Sequence, residues 1–549
     1  MLPGCVPWPE DAARRYRAAG LWEGLTVTDM VARTAARHPH KAAIVHGQAR
    51  VGYGELMERV QACATGLLQL GLAPCDRALL QLPNGVEFVV TYLALNAIGV
   101  IPVMALPAHR HSEVRHFLAA SQARAWFVPE RLGSFDFRAM AQELAPAAPA
   151  LRHVIVAGEP LAGQLAWAAL AASPDPDALA ARKPAASEVS TMLLSGGTTS
   201  LSKLIPRTHD DYVLNARLCS QAGGFDEATV FLAILPLGHN YNLASPGVLG
   251  AFYRGGTLVV MNGAQVQDVF ETIARERVTV VAAAVPLVTR WLAEEAGRRF
   301  DVSSLKVIQN GGARLAPELR QRVRQELGCL PQEIYGTAEG LINMTRLDDD
   351  DALLLESSGA PVSELDELRV LDDAGRELPD GEPGELVTRG PYTIRGYYDA
   401  PEINAQAFTP EGFYRMGDIV RKRGRHLYTE GRRKDLINRG GEKISCEEVE
   451  NLIFRLPQVR QVSLVAMPDP VFGEKGCACV VTQPDAQLTF EQLVAHLKTQ
   501  GIASFKLPER LELFASFPVS PVGKILKREL RELVVQRMAA SSQAPQETR

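Results

Sequence analysis

Short runs of apolar and β-branched residues recur along this 549-residue chain, and longer segments with helical periodicity separate them. The segment 316–327 repeats a leucine or valine at every fourth position, and Gly328 follows it as a C-cap glycine would. The Ala- and Pro-rich stretch 136–188 is interpreted as a solvent-facing excursion around one strand. Strands that alternate with helices predict an α/β fold, and the clearest predicted strands are residues 230–235, 257–261, 278–285 and 305–309.

The pattern changes after about residue 430, where shorter helices and strands follow one another closely. Ser445 and Glu448 have the spacing of a helix capping box, and Thr489 and Gln492 repeat that spacing. Apolar runs between the two predicted helices are strand candidates, at residues 462–467 and 477–481. This region therefore predicts a separate small α+β domain of about 110 residues.

Charge and cysteine usage narrow the choice of partners and compartment. The formal net charge of −5 gives no overall attraction to nucleic acid or to anionic lipid, so neither is expected as a partner. The eight cysteines are scattered without a CxxC pair, as expected for reduced thiols in a cytoplasmic protein. The N-terminus has no apolar signal core, and polar residues and proline interrupt the apolar stretch 90–108. A soluble cytoplasmic protein is predicted.

A loop rich in glycine and hydroxyl side chains, SGGTTSLSK, follows an apolar run at residues 195–203. Its glycines allow close approach of the backbone, and its hydroxyls and Lys203 suit a polyphosphate. The loop is not a Walker motif, because Leu201 stands where that motif needs its second glycine. By themselves these residues fit a phosphate-binding loop and a flexible connector equally well.

The order of several further motifs separates these two interpretations. Together with the loop, they resemble the adenylate-forming superfamily, which includes acyl-CoA synthetases, adenylation domains of nonribosomal peptide synthetases and firefly-type luciferases. Ser200 and Ser202 depart from the glycine and proline that are usual in the superfamily's loop. The matching segments span nearly the entire chain: YGTAEG at residues 335–340, then 385–398, YRMGD at 414–418, 431–450 and PVGKILK at 521–527.

The resemblance also implies how the chain is divided. It implies a large, multi-lobed N-terminal α/β domain at residues 1–433 and a small, mobile α+β C-terminal domain at residues 434–549. Lys434 matches the hinge residue between them, and Gly440 and Gly441 match the loop that serves thioester formation after the small domain rotates.

In this superfamily a substrate carboxylate attacks the α-phosphorus of ATP, giving an acyl-adenylate and pyrophosphate. A carboxylate is already ionised near pH 7, so the reaction needs positive charge rather than a general base. Glu339 matches the ligand of Mg²⁺, a cation that prefers oxygen donors, and Lys524 matches the catalytic lysine. The resemblance thus implies ATP and Mg²⁺ as cofactors.

The resemblance further implies a set of nucleotide-binding residues. Asp418 matches the acid that binds the ribose hydroxyls, and Arg432 lies beside the same nucleotide. The segment Gly311, Gly312, Ala313 and Arg314 matches the stretch that lines the adenine. The full predicted ATP site is Ser195, Gly196, Gly197, Thr198, Thr199, Lys203, Gly311, Gly312, Ala313, Arg314, Tyr335, Gly336, Thr337, Asp418, Arg432 and Lys434.

Residues 235–247, LPLGHNYNLASPG, resemble one branch of the superfamily, the enzymes of siderophore pathways that adenylate 2,3-dihydroxybenzoate or salicylate. Ser245 matches the dihydroxybenzoate enzymes, whereas Ile342 narrows the pocket as in some salicylate enzymes. His239 is grouped with the catalytic residues because it packs beside the pocket and shapes it, without an acid–base role. The residues expected to bind the aryl acid are Asn240, Tyr241, Ser245, Gly312 and Ile342.

The resemblance therefore predicts an enzyme that forms aryl-AMP and passes the aryl group to the phosphopantetheine thiol of an aryl carrier protein. The acid is 2,3-dihydroxybenzoate, with salicylate as the next choice. An aryl-CoA ligase that uses free coenzyme A is the alternative on the same fold. A catalytically silent nucleotide-binding regulatory protein is the alternative from another class, and the presence of Glu339, Asp418, Lys434 and Lys524 argues against it.

Overall fold

Two mainly parallel β-sheets form the centre of a large N-terminal lobe. The computed structural model describes residues 1–195, 202–440, 442–520 and 523–543. The α/β fold predicted from the alternating pattern is confirmed, and a smaller α+β lobe follows it along the chain.

The larger sheet has six adjacent parallel strands at its centre. Most side chains of these strands are buried, as expected where helices cover both faces of a parallel sheet. Parallel strands end at the same edge, so the loops after Ala283, Gly311 and Thr337 are brought together. In spatial order its strands are Ala360–Pro361, Gly340–Met344, Leu330–Thr337, Val307–Gly311, Val280–Ala283, Val230–Ala233, Thr257–Val260, Ala42–His46 and Ala49–Gly52.

At one edge of the second sheet, the strands Val189–Leu194 and Leu204–Thr208 pair in antiparallel fashion, and the predicted phosphate loop connects them. The strands of this sheet are, in spatial order, Leu204–Thr208, Val189–Leu194, Ile101–Met104, Arg77–Leu80, Ala125–Pro129, His153–Ala157 and Leu165–Ala166. A third, antiparallel sheet holds Asp418 and Arg432 and consists of Glu367–Leu371, Pro383–Arg389, Tyr414–Arg423 and His426–Arg432. A short hairpin joins Arg131–Leu132 to Phe135–Asp136.

Helices surround these sheets. The helix predicted at 316–327 is observed at Pro317–Leu327, and Gly328 ends it with a φ of 67°. The α-helices described in this lobe are Glu10–Ala18, Val27–Arg37, Tyr53–Gln69, Val86–Ala97, His111–Ser121, Phe137–Leu144, Pro176–Arg182, His209–Ala222, Asn240–Ala244, Gly247–Arg254, Val266–Glu276, Val285–Ala293, Ala296–Arg299, Pro317–Leu327, Asp351–Glu356 and Pro401–Ala407, with 3₁₀ turns at Ala145–Ala147, Trp167–Leu170 and Arg433–Asp435.

The prediction of a solvent-facing excursion at residues 136–188 is wrong for its first part. The helix Phe137–Leu144 buries Phe137 and Met140 against the second sheet, whereas the strand predicted within this stretch is confirmed at His153–Ala157. Because alanine is small and apolar, an alanine-rich composition fits a closely packed helix as well as an exposed segment.

The smaller lobe has its own hydrophobic core, which begins at Ile437. The capping box predicted at Thr489 and Gln492 is confirmed; at the other helix Ser445 accepts the expected bond from the backbone N–H of Glu448, but the Glu448 side chain pairs with Lys506. The predicted domain border at 433 and 434 stays a prediction. The lobe contains the strands Ile437–Arg439, Glu442–Ile444, Val459–Asp469, Gly473–Thr482 and Arg510–Leu513, the helices Cys446–Phe454, Phe490–Thr499 and Lys527–Gln543, and a 3₁₀ turn at Ser504–Lys506.

Among the described residues, the helices are too short or too polar to cross a lipid bilayer.

A buried histidine couples the stability of the larger lobe to pH. His209 is completely buried, and its Nδ1 accepts a hydrogen bond of 3.1 Å from the backbone N–H of Val27. Burial lowers the pKa of His209 to about 3, whereas an unfolded histidine titrates near 6.5. The stability that follows from this neutral ring is present above pH 6.5 and is lost as the pH falls below it.

We therefore expect the free energy of unfolding to decrease by about 2 kcal/mol between pH 7 and pH 5 because of this residue. His209→Asn keeps a hydrogen-bond acceptor but cannot titrate, so it should flatten the pH dependence measured by urea unfolding. The exposed His40 provides the control, and His40→Asn should leave the pH dependence unchanged. An equal slope in wild type and His209→Asn would contradict the assignment.

Candidate functional site

The predicted aryl-acid residues lie on and around a short helix at the carboxyl edge of the larger sheet. His239 precedes the helix Asn240–Ala244, and its Nδ1 accepts a bond of 3.3 Å from the backbone N–H of Tyr241. Asn240 donates to Ser245 Oγ at 3.4 Å, so these two predicted residues are in contact. Both are buried, and they form a polar pair among apolar neighbours.

Two further residues orient this pair, and the sequence motifs did not identify them. The Tyr212 hydroxyl donates to Asn240 Oδ1 at 2.8 Å, and the Asn215 amide donates to Ser245 Oγ at 3.3 Å. Both belong to the helix His209–Ala222 and lie three residues apart, on one face of that helix. The sequence offered no signal for them, because most residues of this helix, polar and apolar alike, become buried only in the folded chain.

Glycines shape the same region by admitting larger neighbours. A Cβ atom on Gly311 would lie 3.0 Å from ring carbons of Tyr241, so the ring packs directly on the backbone of this glycine. A Cβ atom on Gly336 would lie 2.7 Å from Ile342 Cδ1. Gly312 has a φ of 86° with open space around it. Tyr241 thus packs on Gly311, and Ile342 packs on Gly336, because neither glycine has a side chain to keep its neighbour away.

Buried polar groups hold the loop that begins at Gly311. The Asn310 amide donates to Ala313 O at 2.7 Å and to Glu333 Oε2 at 3.0 Å, and Arg320 pairs with Glu333 at 3.0 Å. Burial raises the pKa of Glu333 and lowers the pKa of Arg320 to about 10, and the attraction between the two opposes both shifts. Because either charge would be costly to bury by itself, the two side chains must stay paired. The pair therefore holds the loop in one position.

Arg314 ends this loop and points towards the smaller lobe. Its Nε lies 3.7 Å from Glu447 Oε1, and its guanidinium donates to the backbone oxygen of Glu356 at 2.6 Å. The structure therefore places this predicted ATP-binding side chain at the contact between the lobes.

Three predicted nucleotide-binding residues meet where the antiparallel sheet faces the strand Leu330–Thr337 of the larger sheet. Asp418 and Arg432 are register partners on neighbouring strands, and Arg432 Nε lies 2.7 Å from Asp418 Oδ1. The Tyr335 hydroxyl donates to Asp418 Oδ2 at 2.7 Å. Burial and the adjacent carboxylate raise the pKa of Tyr335, which keeps this hydroxyl protonated as a donor. The arrangement presents a fixed carboxylate of the kind that binds sugar hydroxyls.

Glu339 follows the strand Leu330–Thr337 and is buried. The Tyr397 hydroxyl donates to Glu339 Oε1 at 2.8 Å and lies 3.1 Å from the Tyr414 hydroxyl. Lys203 Nζ lies 4.5 Å from the centre of the Tyr397 ring, which brings the end of the predicted phosphate loop to the same place. The Glu339 carboxylate suits a cation that is shared with phosphate oxygens, and the positive charge of Lys203 suits the phosphates themselves.

The loop that carries Glu339 depends on an arginine that sequence reasoning missed. Arg207 is completely buried, pairs with Asp211 at 2.7 Å, and donates to the backbone oxygens of Ala338 and Tyr392 at 3.0 and 3.1 Å.

Among the described residues, no group of three or more acidic, histidine or cysteine side chains is arranged to hold a metal by itself. Glu339 fits Mg²⁺ only as one ligand, with the nucleotide supplying others.

The base of the predicted phosphate loop is closed. The backbone N–H of Ser195 donates to Lys203 O at 3.0 Å, and the backbone N–H of Lys203 donates to Ser195 Oγ at 2.9 Å. The predicted residues Gly196, Gly197, Thr198 and Thr199 lie outside the described residues, as does Gly441 of the predicted thioester loop.

The smaller lobe brings Lys524 towards the helix that follows His239. A Cβ atom on Gly523 would lie 3.3 Å from Ala284 Cβ, so this loop rests on the carboxyl edge of the larger sheet. Burial, together with the positive charge of Lys524, lowers the pKa of His239 to about 4. A cavity of about 540 Å³ lies between the lobes, with Leu235 and Pro286 on one side and Ser520 on the other.

The remaining predicted residues lie elsewhere in the smaller lobe and at its start. Lys434 belongs to the turn Arg433–Asp435, where the third sheet of the larger lobe ends. Gly440 has a φ of 59°, and a Cβ atom there would lie 2.9 Å from the Phe472 ring, so its close neighbour is in its own lobe.

The fold has two lobes, and several of the residues predicted to bind a nucleotide lie at the carboxyl edge of a parallel sheet, which the loop of Lys524 from the smaller lobe contacts. Residues 31–398 match the family described as AMP-binding enzyme, and residues 448–524 match its C-terminal domain. The chain belongs to this family, and the resemblance seen in its motifs is confirmed.

Curated relatives cover nearly the whole chain. It is 43% identical to the 2,3-dihydroxybenzoate-AMP ligase of Bacillus subtilis over 98% of this chain and 99% of the relative. It is 45% identical to a salicylyl-CoA synthase / salicylate adenylyltransferase of Streptomyces over 97% and 98%. It is 46% identical to pyochelin synthase PchD of Pseudomonas aeruginosa over 96% and 95%.

Solved structures share the two-lobed arrangement. The apo structure of Mycobacterium smegmatis MbtA is 38% identical, with a TM-score of 0.75 over 96% of this chain and 98% of that chain. The anthranilate CoA ligase AuaEII in complex with anthranoyl-AMP is 23% identical, with a TM-score of 0.84 over 94% and 98%. At 23% identity, the likeness to AuaEII shows a shared fold and nothing more.

If Glu339 binds the metal, Glu339→Gln should weaken Mg²⁺-dependent binding of ATP by about tenfold, because a neutral amide attracts the cation less than a carboxylate does. Isothermal titration calorimetry with ATP over a series of Mg²⁺ concentrations measures the effect. Glu364→Gln, at an exposed carboxylate of the same lobe, is the control. Identical Mg²⁺ dependence in wild type and Glu339→Gln would remove this residue from the metal site.

Proposed function

We propose that this enzyme joins an aryl acid to AMP, releasing pyrophosphate, and then transfers the aryl group to the phosphopantetheine thiol of an aryl carrier protein in siderophore biosynthesis. We favour 2,3-dihydroxybenzoate, with salicylate next. The carrying observation is the hydrogen-bonded pair of Asn240 and Ser245 next to the packed ring of Tyr241. The names of the Bacillus and Pseudomonas relatives support the same class of substrate and pathway.

Both reactants are anions, so the residues of the chain act mainly by placing charge. The aryl carboxylate is ionised near pH 7 and needs no base. Lys203 and Lys524 supply positive charge from the two lobes, and Asp418 fixes the nucleotide through its ribose hydroxyls. Mg²⁺, held in part by Glu339, would neutralise charge on the phosphate oxygens. Positioning and electrostatic stabilisation then account for the acceleration.

The hydrogen bonds of Ser245 favour an acid with a second ring hydroxyl. Ser245 Oγ accepts from the amides of Asn240 and Asn215, so its own proton can be donated either to the neighbouring Cys219 thiol or to a substrate hydroxyl. Leaving a buried hydroxyl without its partner costs about 1 to 3 kcal/mol, which is enough for a preference between two acids. Ile342, packed against Gly336, narrows the pocket and works in favour of salicylate.

Free coenzyme A is the second candidate for the acceptor thiol. The Streptomyces relative is named both a salicylyl-CoA synthase and a salicylate adenylyltransferase, so related chains are assigned either acceptor.

A cytoplasmic location is part of the proposal and is supported by eight free cysteines.

The test is ATP–pyrophosphate exchange with a panel of aryl and aliphatic acids, followed by thioester formation with aryl carrier protein and with coenzyme A. We expect exchange with 2,3-dihydroxybenzoate and salicylate, and faster transfer to the carrier protein. Exchange with long-chain acids alone would overturn the substrate class. Faster transfer to coenzyme A would favour the second candidate.

Ser245→Cys should shift selectivity towards salicylate, because a thiol is a weaker hydrogen-bond donor than a hydroxyl. We expect the ratio of kcat/KM for 2,3-dihydroxybenzoate over salicylate to fall by about tenfold. Asn215→Ala should change the ratio in the same direction if Asn215 orients Ser245. An unchanged ratio in Ser245→Cys would exclude this residue from selectivity.

A further inference from the structure

One helix of the smaller lobe is bound to the larger lobe by ion pairs at both of its ends. Glu447, in the first turn of the helix Cys446–Phe454, lies 3.7 Å from Arg314, and Arg455, just beyond its last turn, lies 3.0 Å from Glu318. We propose that these four residues, here named the interlobe latch, hold the smaller lobe in the orientation that presents Lys524 for adenylate formation. This inference rests on the proposed function.

The placement of the four residues makes them suited to fix an orientation. Arg314 and Glu318 lie close together in the chain, at the start of the helix Pro317–Leu327. Glu447 and Arg455 are eight positions apart, which corresponds to about 12 Å along a helix. Two attachment points at this separation restrict rotation of the smaller lobe as well as its translation.

The first pair is largely shielded from solvent. The side chains of Arg314 and Glu447 are 15% and 19% exposed, and Thr429 of the larger lobe donates to Glu447 Oε1 at 3.0 Å. Arg314 is itself held in place by its bond to the backbone oxygen of Glu356. Burial raises the pKa of Glu447 to about 7 and the attraction of Arg314 opposes that shift, so this pair contributes by its fixed geometry more than by its strength.

The second pair is more exposed to solvent than the first. In the first pair the larger lobe carries the positive charge, whereas in the second pair it carries the negative charge. Arg455 and Glu318 are 48% and 34% exposed, and Arg455 also donates to Gln500 of its own lobe at 3.1 Å. The larger lobe thus contributes one cation and one anion, and the smaller lobe contributes their partners. This complementarity favours one alignment, because a shifted helix would bring like charges together.

The latch and the position of Lys524 belong to the same arrangement of the lobes. In it Gly523 rests on Ala284, and the charge of Lys524 reaches His239. None of the four latch residues lies among the acid-binding residues of the proposed function, although Arg314 is one of the predicted ATP-binding residues. We therefore treat Glu318 and Arg455, at the outer pair, as positioning residues that act through Lys524.

A charge swap tests the latch. Glu318→Arg and Arg455→Glu, each alone, place like charges at the outer pair and should lower ATP–pyrophosphate exchange by about three- to tenfold, whereas the double variant should recover most of the rate. Thioester formation from supplied aryl-AMP should not fall in either single variant. Arg455→Gln, which removes the charge without reversing it, should give a smaller loss of exchange.

Arg322 and Glu326 form the matched control, since they pair at 2.7 Å within the helix that carries Glu318. Reversing either charge there should leave exchange unchanged. Trypsin cleavage within residues 431–439 gives a readout independent of chemistry, and we expect it to accelerate in the single latch variants and return to the wild-type rate in the double variant.

Several results would overturn the latch: no effect of the single variants, equal loss of both half-reactions, or no recovery in the double variant. Failure of the proposed function would look different. In that case wild type would show no exchange with any aryl acid, while the cleavage rates would still respond to the charge swap.

Discussion

Parallel pairing of the central strands is the constraint on which the rest of this structure depends. Because strands Val280–Ala283, Val307–Gly311 and Leu330–Thr337 run in one direction, their carboxyl ends meet at one edge. Segments that are distant in the sequence, from His239 to Glu339, therefore face a common space. The site therefore needs no continuous sequence motif. Each of its loops only has to follow a strand that ends at this edge of the sheet.

Buried polar groups then fix those loops. Glu333 and Arg320 support the loop after Gly311, and Arg207 with Asp211 supports the loop before Glu339. Each pair places full charges where water is excluded, so each charge must be matched by its partner and by hydrogen bonds. Such pairs define one loop position, which is what a site that works by placing charge requires.

The smaller lobe adds a function that a single rigid pocket would not provide. Its core is separate from that of the larger lobe, and between the lobes lie a cavity and polar contacts. Interfaces of this kind permit relative motion more readily than an apolar core does. In the proposed function the smaller lobe brings Lys524 to the nucleotide and later withdraws it, at an energetic cost set by a few ion pairs.

The sequence determined much of this protein by itself. Short apolar runs and period-3.6 patterns predicted the α/β class and the small second lobe. Local signals predicted Gly328 and the cap at Thr489, because they depend on neighbours a few residues away. Ordered motifs predicted the family. The tertiary structure decided that the helix Phe137–Leu144 is buried, that Arg314 faces Glu447, and that Tyr212, Asn215 and Tyr397 support the site. These contacts join residues far apart in the chain, and packing rather than local preference selects them.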